Sequence, residues 1–309
     1  MNELNDTNTT TEGKTFRCGY VAILGEPNVG KSTLMNALIG QKISIVTKKP
    51  QTTRHKILGI ITEESFQIIF LDTPGLIQPK YRLHEAMMKF AATAVNDADV
   101  ILMMIDATDT TSAKTHELIF TVLQQTKKPV YLLLNKIDIV PKQSLLSLIA
   151  DYSANYSFKE VFPISALTKE GTEVLVSSIA QELPVHPPYY PSDSLSEQSV
   201  RFFVSEIIRE KIFELFEEEI PYSTTVDVIE FTEKENRKTT IQAEIYIERD
   251  SQKAILIGKK GQAIKEIGVM ARKDIELLLD KEVFLQLYVK VRENWREDDA
   301  WLKRLGYSE

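Results

Sequence analysis

The run Gly25-Glu-Pro-Asn-Val-Gly-Lys-Ser32 lies between an apolar stretch, Tyr20–Leu24, and an amphipathic one, Lys31–Ile39. It fits the pattern G-x-x-x-x-G-K-[ST] in the strand–turn–helix setting that gives the pattern meaning. Glycines let backbone N–H groups turn inward around phosphate oxygens, and the helix N-terminus adds a favourable field. Lys31 is then placed for the β- and γ-phosphates and the Ser32 hydroxyl for Mg²⁺. The expectation is a nucleoside triphosphate held by Gly25, Glu26, Pro27, Asn28, Val29, Gly30, Lys31 and Ser32.

The surrounding pattern supplies the sheet such a loop needs. From Arg17 to about Leu183, strand-like runs (Tyr20–Leu24, Lys56–Thr62, Phe66–Asp72, Val100–Asp106, Val130–Asn135, Val161–Ile164) alternate with helical ones. The helical runs are Lys31–Ile39, Leu83–Val95, Ala113–Gln125, Gln143–Tyr156 and Thr172–Gln181. That alternation predicts a mostly parallel sheet with helices on both faces. Only Lys56–Asp72 reads as a hairpin, because Glu63–Ser65 leaves too little chain for a crossover.

Asp72-Thr-Pro-Gly75 follows a core strand, so Asp72 is expected to face the phosphate loop and hold Mg²⁺ through water, with the Gly75 N–H sensing the γ-phosphate. Asn135-Lys-Ile-Asp138 ends another core strand. A carboxylate there accepts both N1–H and N2–H of guanine, a donor pair that adenine lacks, so the site discriminates against adenine. Asn135 is expected to tie this loop to the phosphate loop, the Lys136 stem to cover the base, and Ser165-Ala166-Leu167 to give a backbone donor to guanine O6. The polar run Lys48–His55 sits where a γ-phosphate-ordered loop is expected. Thr53 is the choice for its Mg²⁺-binding hydroxyl and Thr52 the alternative, since spacing does not separate them. Leu76 stands where a water-orienting glutamine would be, so another group must position the water or hydrolysis is slow. Asn28 either helps hold a monovalent cation such as K⁺ beside the phosphates or only braces the loop.

Composition removes competing classes. The chain has 309 residues, 43% apolar and 26% charged, enough for about two ordinary domains. No apolar run approaches the ~18 residues of a spanning helix. One cysteine, Cys18, excludes an internal disulfide, and four scattered histidines show no ligand spacing. The polar N-terminus lacks the apolar segment of a secretory signal, so the expected compartment is the cytoplasm. A net charge of −7, from 37 Lys+Arg against 44 Asp+Glu, argues against nonspecific coating of nucleic acid.

Leu183–Ser199 carries four prolines and four serines and reads as a linker. Beyond it the pattern changes to a long helix, Val200–Glu219, strands Thr224–Thr232 and Thr239–Glu248, a short helix near Ala254, a helix Gln262–Leu279 and a strand Val283–Arg292. In that αββααβ order, Ile255-Leu-Ile-Gly-Lys-Lys-Gly261 lies between two helices. A G-x-x-G turn so placed, as in a KH module, clamps the backbone of about four single-stranded nucleotides. Gly258, Lys259, Lys260, Gly261 and Lys265 are the RNA-binding residues expected. From residue 196 onward, 19 Lys+Arg face 24 Asp+Glu, so binding must be local and read exposed bases.

GEPNVGKS, QTTRH, DTPG, NKID and SAL, followed by ILIGKKG, together resemble the Era family of bacterial GTPases over Arg17–Trp301. The resemblance implies a Ras-like α/β P-loop GTPase domain over residues 17–183; the polar stretch before it, 1–16, reads from its composition as a disordered tail and is longer than the family usually carries. A linker at 184–199 and an α+β type II KH domain with a C-terminal tail over 200–309 would follow. It implies hydrolysis of GTP to GDP with Mg²⁺, carried by Lys31, Thr53, Asp72 and Gly75, with Ser32, Thr53 and Asp72 at the metal. The nucleotide residues carried over are Gly25–Ser32, then Asp72, Thr73, Pro74, Gly75 and Leu76, then Asn135, Lys136, Ile137 and Asp138. Also implied are a partner, the 3′ end of small-subunit ribosomal RNA, a role in assembling that subunit, and peripheral association with the inner face of the membrane. Nothing in the residues demands more than a monomer. A reading from another class, a signalling GTPase whose second half docks a protein, would bind no single-stranded RNA.

Overall fold

The computed structural model describes residues 15–47, 49–109, 116–233 and 238–307. Its first half is a six-stranded sheet made of β1 (Arg17–Leu24), β2 (Ile57–Thr62), β3 (Phe66–Asp72), β4 (Val100–Asp106), β5 (Val130–Asn135) and β6 (Glu160–Pro163). The spatial order is β2-β3-β1-β4-β5-β6, and every pairing is parallel except the β2–β3 hairpin. Burial on both faces explains why β4 and β5 read as unbroken apolar runs.

The helices of this half are α1 (Lys31–Ile39), α2 (Arg82–Asp97), α3 (Glu117–Leu123), α4 (Lys142–Asn155) and α5 (Thr172–Glu182). Leu34 of α1 and Leu175 of α5 pack on one face, with Ile23, Leu102 and Leu133. Ala91 of α2, Phe120 of α3 and Leu145 of α4 pack on the other, with Ala22, Ile101 and Leu132. Parallel strands put their carboxyl ends on one rim, so the loops after β1, β3, β4, β5 and β6 share one edge of the sheet.

The second half is α6 (Val200–Leu215), α7 (Ile220–Ser223), β7 (Thr225–Thr232), β8 (Thr239–Ile247), α8 (Asp250–Ile257), α9 (Gln262–Leu279), β9 (Val283–Val291) and α10 (Asp299–Arg304). β8 pairs antiparallel with β7 and parallel with β9. Ile208 and Ile212 of α6 and Ile267, Ala271 and Ile275 of α9 cover Ile241, Ala243 and Ile245 of that sheet.

Several expectations need correction. The long helix Val200–Glu219 stops at Leu215, because Phe216 is extended (φ −117, ψ 146) and Glu218 is left-handed (φ 51). The carbonyls left at that end are taken by the Lys49 ammonium, 2.6 Å from Phe213 O and also bonded to Phe216 O. The helix expected over Ala113–Gln125 is observed as Glu117–Leu123, and residues 110–115 lie outside the described residues. Of the tail at 1–16, residues 1–14 lie outside the described residues. Phe16 is held, its carbonyl accepting from His186 N–H at 3.1 Å.

The proline-rich stretch lies along the first sheet. Ile60 N–H of β2 donates to Leu195 O at 2.9 Å, the Ser196 hydroxyl to Leu58 O at 2.6 Å, and the buried Gln67 amide to Tyr190 O at 2.8 Å. The two halves then meet through the loop before β2. Arg54, 2% exposed, donates to Thr224 O at 2.7 Å and to Pro221 O and Tyr222 O at 3.0 Å each. Buried Arg209 of α6 is paired with Glu206 and donates to the Thr52 carbonyl. The His55 ring stacks on Tyr307 (centroids 4.2 Å) and meets the edge of Phe202 (5.3 Å). An apolar cluster joins Leu83, Met87 and Phe90 of α2 to Trp295, Trp301, Leu302 and Tyr307.

Candidate functional site

The shared rim opens into a cleft of about 620 Å³, lined among others by Asn28, Lys31, Ser32, Gln51, Thr53, Gly75, Lys136, Asp138 and Leu167. Gly30 has φ +104, and a Cβ there would stand 2.3 Å from the Asn135 amide nitrogen, so only glycine fits. Asn135, 3% exposed, donates to Val29 O at 2.7 Å and accepts from Ala166 N–H at 2.9 Å. One amide thus ties the loops after β1, β5 and β6 together, as expected of it.

Lys31 is 6% exposed, and its ammonium donates to Gly25 O at 3.0 Å and Glu26 O at 2.8 Å. Burial pulls it down to about 8, against the pull of Asp72 and Glu26. Facing it, the Ser32 hydroxyl stands 2.8 Å from the Thr53 hydroxyl and donates to Asp72 Oδ2 at 2.8 Å. Asp72 is fully buried, and its Oδ1 has no hydrogen-bond partner. Burial pushes this carboxyl up, with Lys31 and the Ser32 and Ser44 hydroxyls opposing. Two hydroxyls and a desolvated carboxylate oxygen lacking a partner form an all-oxygen donor set that fits a hard divalent cation such as Mg²⁺.

Thr52 is turned elsewhere: its hydroxyl donates to Lys49 O at 2.8 Å. Of the two threonines that spacing could not separate, only Thr53 joins Ser32 and Asp72. Thr73 donates to Ile23 O at 2.7 Å, and the Leu76 N–H donates to Gly25 O at 3.1 Å. A Cβ at Gly75 would fall 2.7 Å from Pro27 N, so the D-T-P-G loop lies hard against the phosphate loop. Leu76 is 7% exposed and offers no polar group to the cleft.

At the other end of the cleft the Lys136 ammonium is paired with Asp106, the last residue of β4, and Ile137–Ile139 form a 3₁₀ turn. The Ala166 N–H goes to Asn135, and the Ser165 hydroxyl accepts from Thr168 N–H at 3.1 Å. Ile139 and Leu167, 66% and 77% exposed, both line the cleft and add apolar surface at this end.

Sequence reasoning missed Ile139, since an exposed apolar residue carries no motif, and placed Leu167 here only within a loop giving a backbone donor. It also missed Gln51, whose Oε1 lies 3.1 Å from His84 Nε2. His84 Nδ1 accepts from Lys80 N–H at 3.3 Å, so the proton sits on Nε2 and is donated to Gln51. Burial holds His84 down at about 4, so the ring is neutral.

In the second half, Gly258 (φ 73), Lys260 (φ 54) and Gly261 (φ 77) form the tight turn between α8 and α9. A Cβ at Gly258 would meet the Ala263 methyl at 2.7 Å. Lys259, Lys260 and Lys265 are exposed at this turn, and Ile255, 52% exposed, lies on the helix before it. Cationic groups, a backbone free of side chains and an apolar neighbour suit a sugar–phosphate chain with its bases turned inward.

Comparison with known proteins matches both halves. The family described as "50S ribosome-binding GTPase" matches residues 20–136, and the KH domain family matches residues 219–296. The GTPase Era of Geotalea daltonii is 47% identical over 292 residues, covering 94% of this chain and 98% of its own. That of Lacticaseibacillus paracasei is 48% identical over 290 residues, covering 94% and 96%. A crystal structure of a point variant of Era from Aquifex aeolicus, bound to GDP and aluminium fluoride, superposes with a TM-score of 0.91 at 40% identity, covering 95% of this chain and 100% of that one. A structure of Era with MgGDPNP and nucleotides 1506–1542 of 16S ribosomal RNA matches with the same score, identity and coverage. The fold is thus a P-loop GTPase domain followed by a KH domain.

Proposed function

The chain belongs to the Era family of GTPases, and from that premise we propose that it is a GTP-hydrolysing switch acting in small-subunit assembly and maturation, where it binds the 3′ end of the ribosomal RNA. The observation that carries this reading is the convergence of Ser32, Thr53 and the unpartnered Asp72 oxygen beside Lys31. Those three residues would hold Mg²⁺, which when bound would supply neutralisation of the phosphate charge. Lys31 exchanges the carbonyls of Gly25 and Glu26 for phosphate oxygens. The Gly75 N–H meets the γ-phosphate, and the 25–32 loop wraps the phosphates with its backbone.

Asp138 accepts the two guanine donors, the Lys136 stem covers the base, and the Ser165–Ala166 loop faces O6. With Leu76 apolar, no side chain at that position orients the attacking water. Asn28, in the loop and on the cleft wall, supports K⁺ beside the phosphates.

RNA lies along the α8–turn–α9 surface, clamped by Gly258–Gly261 with Lys265 beside it. The relative solved with MgGDPNP and a 16S fragment supports carrying that partner over to this chain. The chain acts as a cytoplasmic monomer with peripheral contact to the inner membrane face. Among the described residues no helix is long and apolar enough to cross a membrane.

The test is binding of a labelled RNA matching the 3′ end of the small-subunit ribosomal RNA, at one fixed salt concentration, with a nonhydrolysable GTP analogue or GDP. Tight binding favoured by the analogue and lost in Lys259→Asp/Lys260→Asp is the expected result. Equal affinity in both states overturns the switch, and no binding in either state leaves a GTPase whose second half docks something else.

A further inference from the structure

A second cluster lies beside the phosphate loop, away from Ser32, Thr53 and Asp72. His116, just before α3, is 5% exposed. Its Nδ1 stands 2.9 Å from a carboxylate oxygen of Glu26. Neither ring nitrogen nonetheless makes a hydrogen bond, so this close approach is not aligned as one. Asp109 brings a second carboxylate to the same place, and one donor atom from each of Glu26, Asp109 and His116 lies within 4.8 Å of the other two.

This close but unaligned approach has the charge attraction of an ion pair without the directional part of a hydrogen bond. It is well explained as two ligands of one ion. Imidazole nitrogen and carboxylate oxygen each bind a first-row divalent metal at about 2.0–2.2 Å, which puts neighbouring ligand atoms about 3 Å apart. We propose that Glu26, Asp109 and His116 form a binding site for a first-row transition metal ion, distinct from the Mg²⁺ site of the nucleotide.

One imidazole with two carboxylates favours Mn²⁺, Fe²⁺, Co²⁺ or Zn²⁺ over Mg²⁺, which prefers oxygen ligands and keeps its waters. Asp109, partly exposed, lies on the solvent side of the cluster, while His116 anchors it from within. Water completes the coordination. Glu26 lies inside the phosphate loop, and its carbonyl accepts from Lys31 at 2.8 Å. An ion on the Glu26 carboxylate therefore ties that loop to the β4–α3 connection and biases the backbone that positions Lys31.

The experiment titrates Mn²⁺ into the chelator-stripped full chain in millimolar Mg²⁺, which fills the oxygen site, and counts bound ions by electron paramagnetic resonance and calorimetry. One Mn²⁺ per chain is expected. Its affinity should fall at least tenfold in His116→Gln and in the solvent-side variant Asp109→Asn, which leaves the buried ring in place. It should hold in Thr53→Ala. Co²⁺ in place of Mn²⁺ should show the visible absorption of nitrogen–oxygen coordination and lose it in His116→Gln. No Mn²⁺ bound above the Mg²⁺ background, or binding equal in wild type and Asp109→Asn, overturns the proposal.

Discussion

Thr53 and Arg54 are neighbours in sequence that serve opposite halves of the molecule. The Thr53 hydroxyl meets Ser32 in the cleft at 2.8 Å, while the Arg54 guanidinium is buried against the carbonyls of residues 221, 222 and 224. A backbone shift at Thr53 on loss of the γ-phosphate must therefore disturb either Arg54 or the turn that holds it.

Arg54→Ala leaves three carbonyls without their donor, at a cost on the order of 3 kcal/mol. The urea midpoint should fall, and the difference in RNA affinity between the GTP analogue and GDP should shrink toward none. Arg54→Lys should also fall short, because one ammonium does not reproduce the planar fork. Full retention of stability and of the nucleotide effect in Arg54→Lys would contradict this.

Asp138→Asn exchanges an acceptor for a donor at the guanine edge. GTP affinity should drop about 10²–10⁴-fold. Xanthosine triphosphate, which carries a carbonyl where guanine has its amino group, should bind better than GTP in the variant. Unchanged GTP affinity in a fluorescence titration would remove Asp138 from base recognition.

Lys31 titrates at about 8 in the structure because burial disfavours its charge. A bound phosphate favours the charge and raises that value. GDP binding at pH 8.5 should therefore take up about 0.7 proton, against about 0.1 at pH 7. Calorimetry in buffers of different ionisation enthalpy measures this. In Lys31→Arg, always charged, the uptake should vanish; equal uptake in both proteins would refute the assignment.

His55 is held down at about 4, chiefly by burial, with Glu206 opposing and Arg209 and Arg54 adding to the shift. Its folded value lies below the unfolded value of about 6.5, so its stabilisation is complete above pH 6.5 and is lost as pH falls toward 4. Between pH 7 and pH 5 this group should cost about 2 kcal/mol. His55→Phe keeps the ring stack on Tyr307 and should flatten the pH dependence of the urea midpoint by that amount. Identical pH profiles for the two proteins would rule His55 out.

What the sequence made legible was local. The loop at 25–32, Asp72-Thr-Pro-Gly75 and the tie made by Asn135 depend on residues set by a strand end and the turn after it. Thr52 and Thr53 could not be told apart, because which hydroxyl faces Ser32 depends on the tight turn in which Lys49 O captures the Thr52 hydroxyl and on Arg209, 157 residues away, holding the Thr52 carbonyl. The end of α6 was misplaced for a similar reason. Pro221 and the acidic run Glu217–Glu219 weaken a helix there, but the Lys49 ammonium that caps its carbonyls comes from 164 residues away. His55 showed only a histidine beside a basic residue, and its stack on Tyr307 appears only once both ends of the chain are folded.

The segment that lies along β2 does more than join two bodies. β2 is the outermost strand at its side of the sheet, and an outermost strand offers its unpaired N–H and C=O groups to any extended chain nearby. Leu195 and Ser196 occupy two of those groups, on Ile60 and Leu58. The stretch thus works as a selvedge on that border, and peeling it away would bare the Ile60 N–H and the Leu58 carbonyl to any other extended chain.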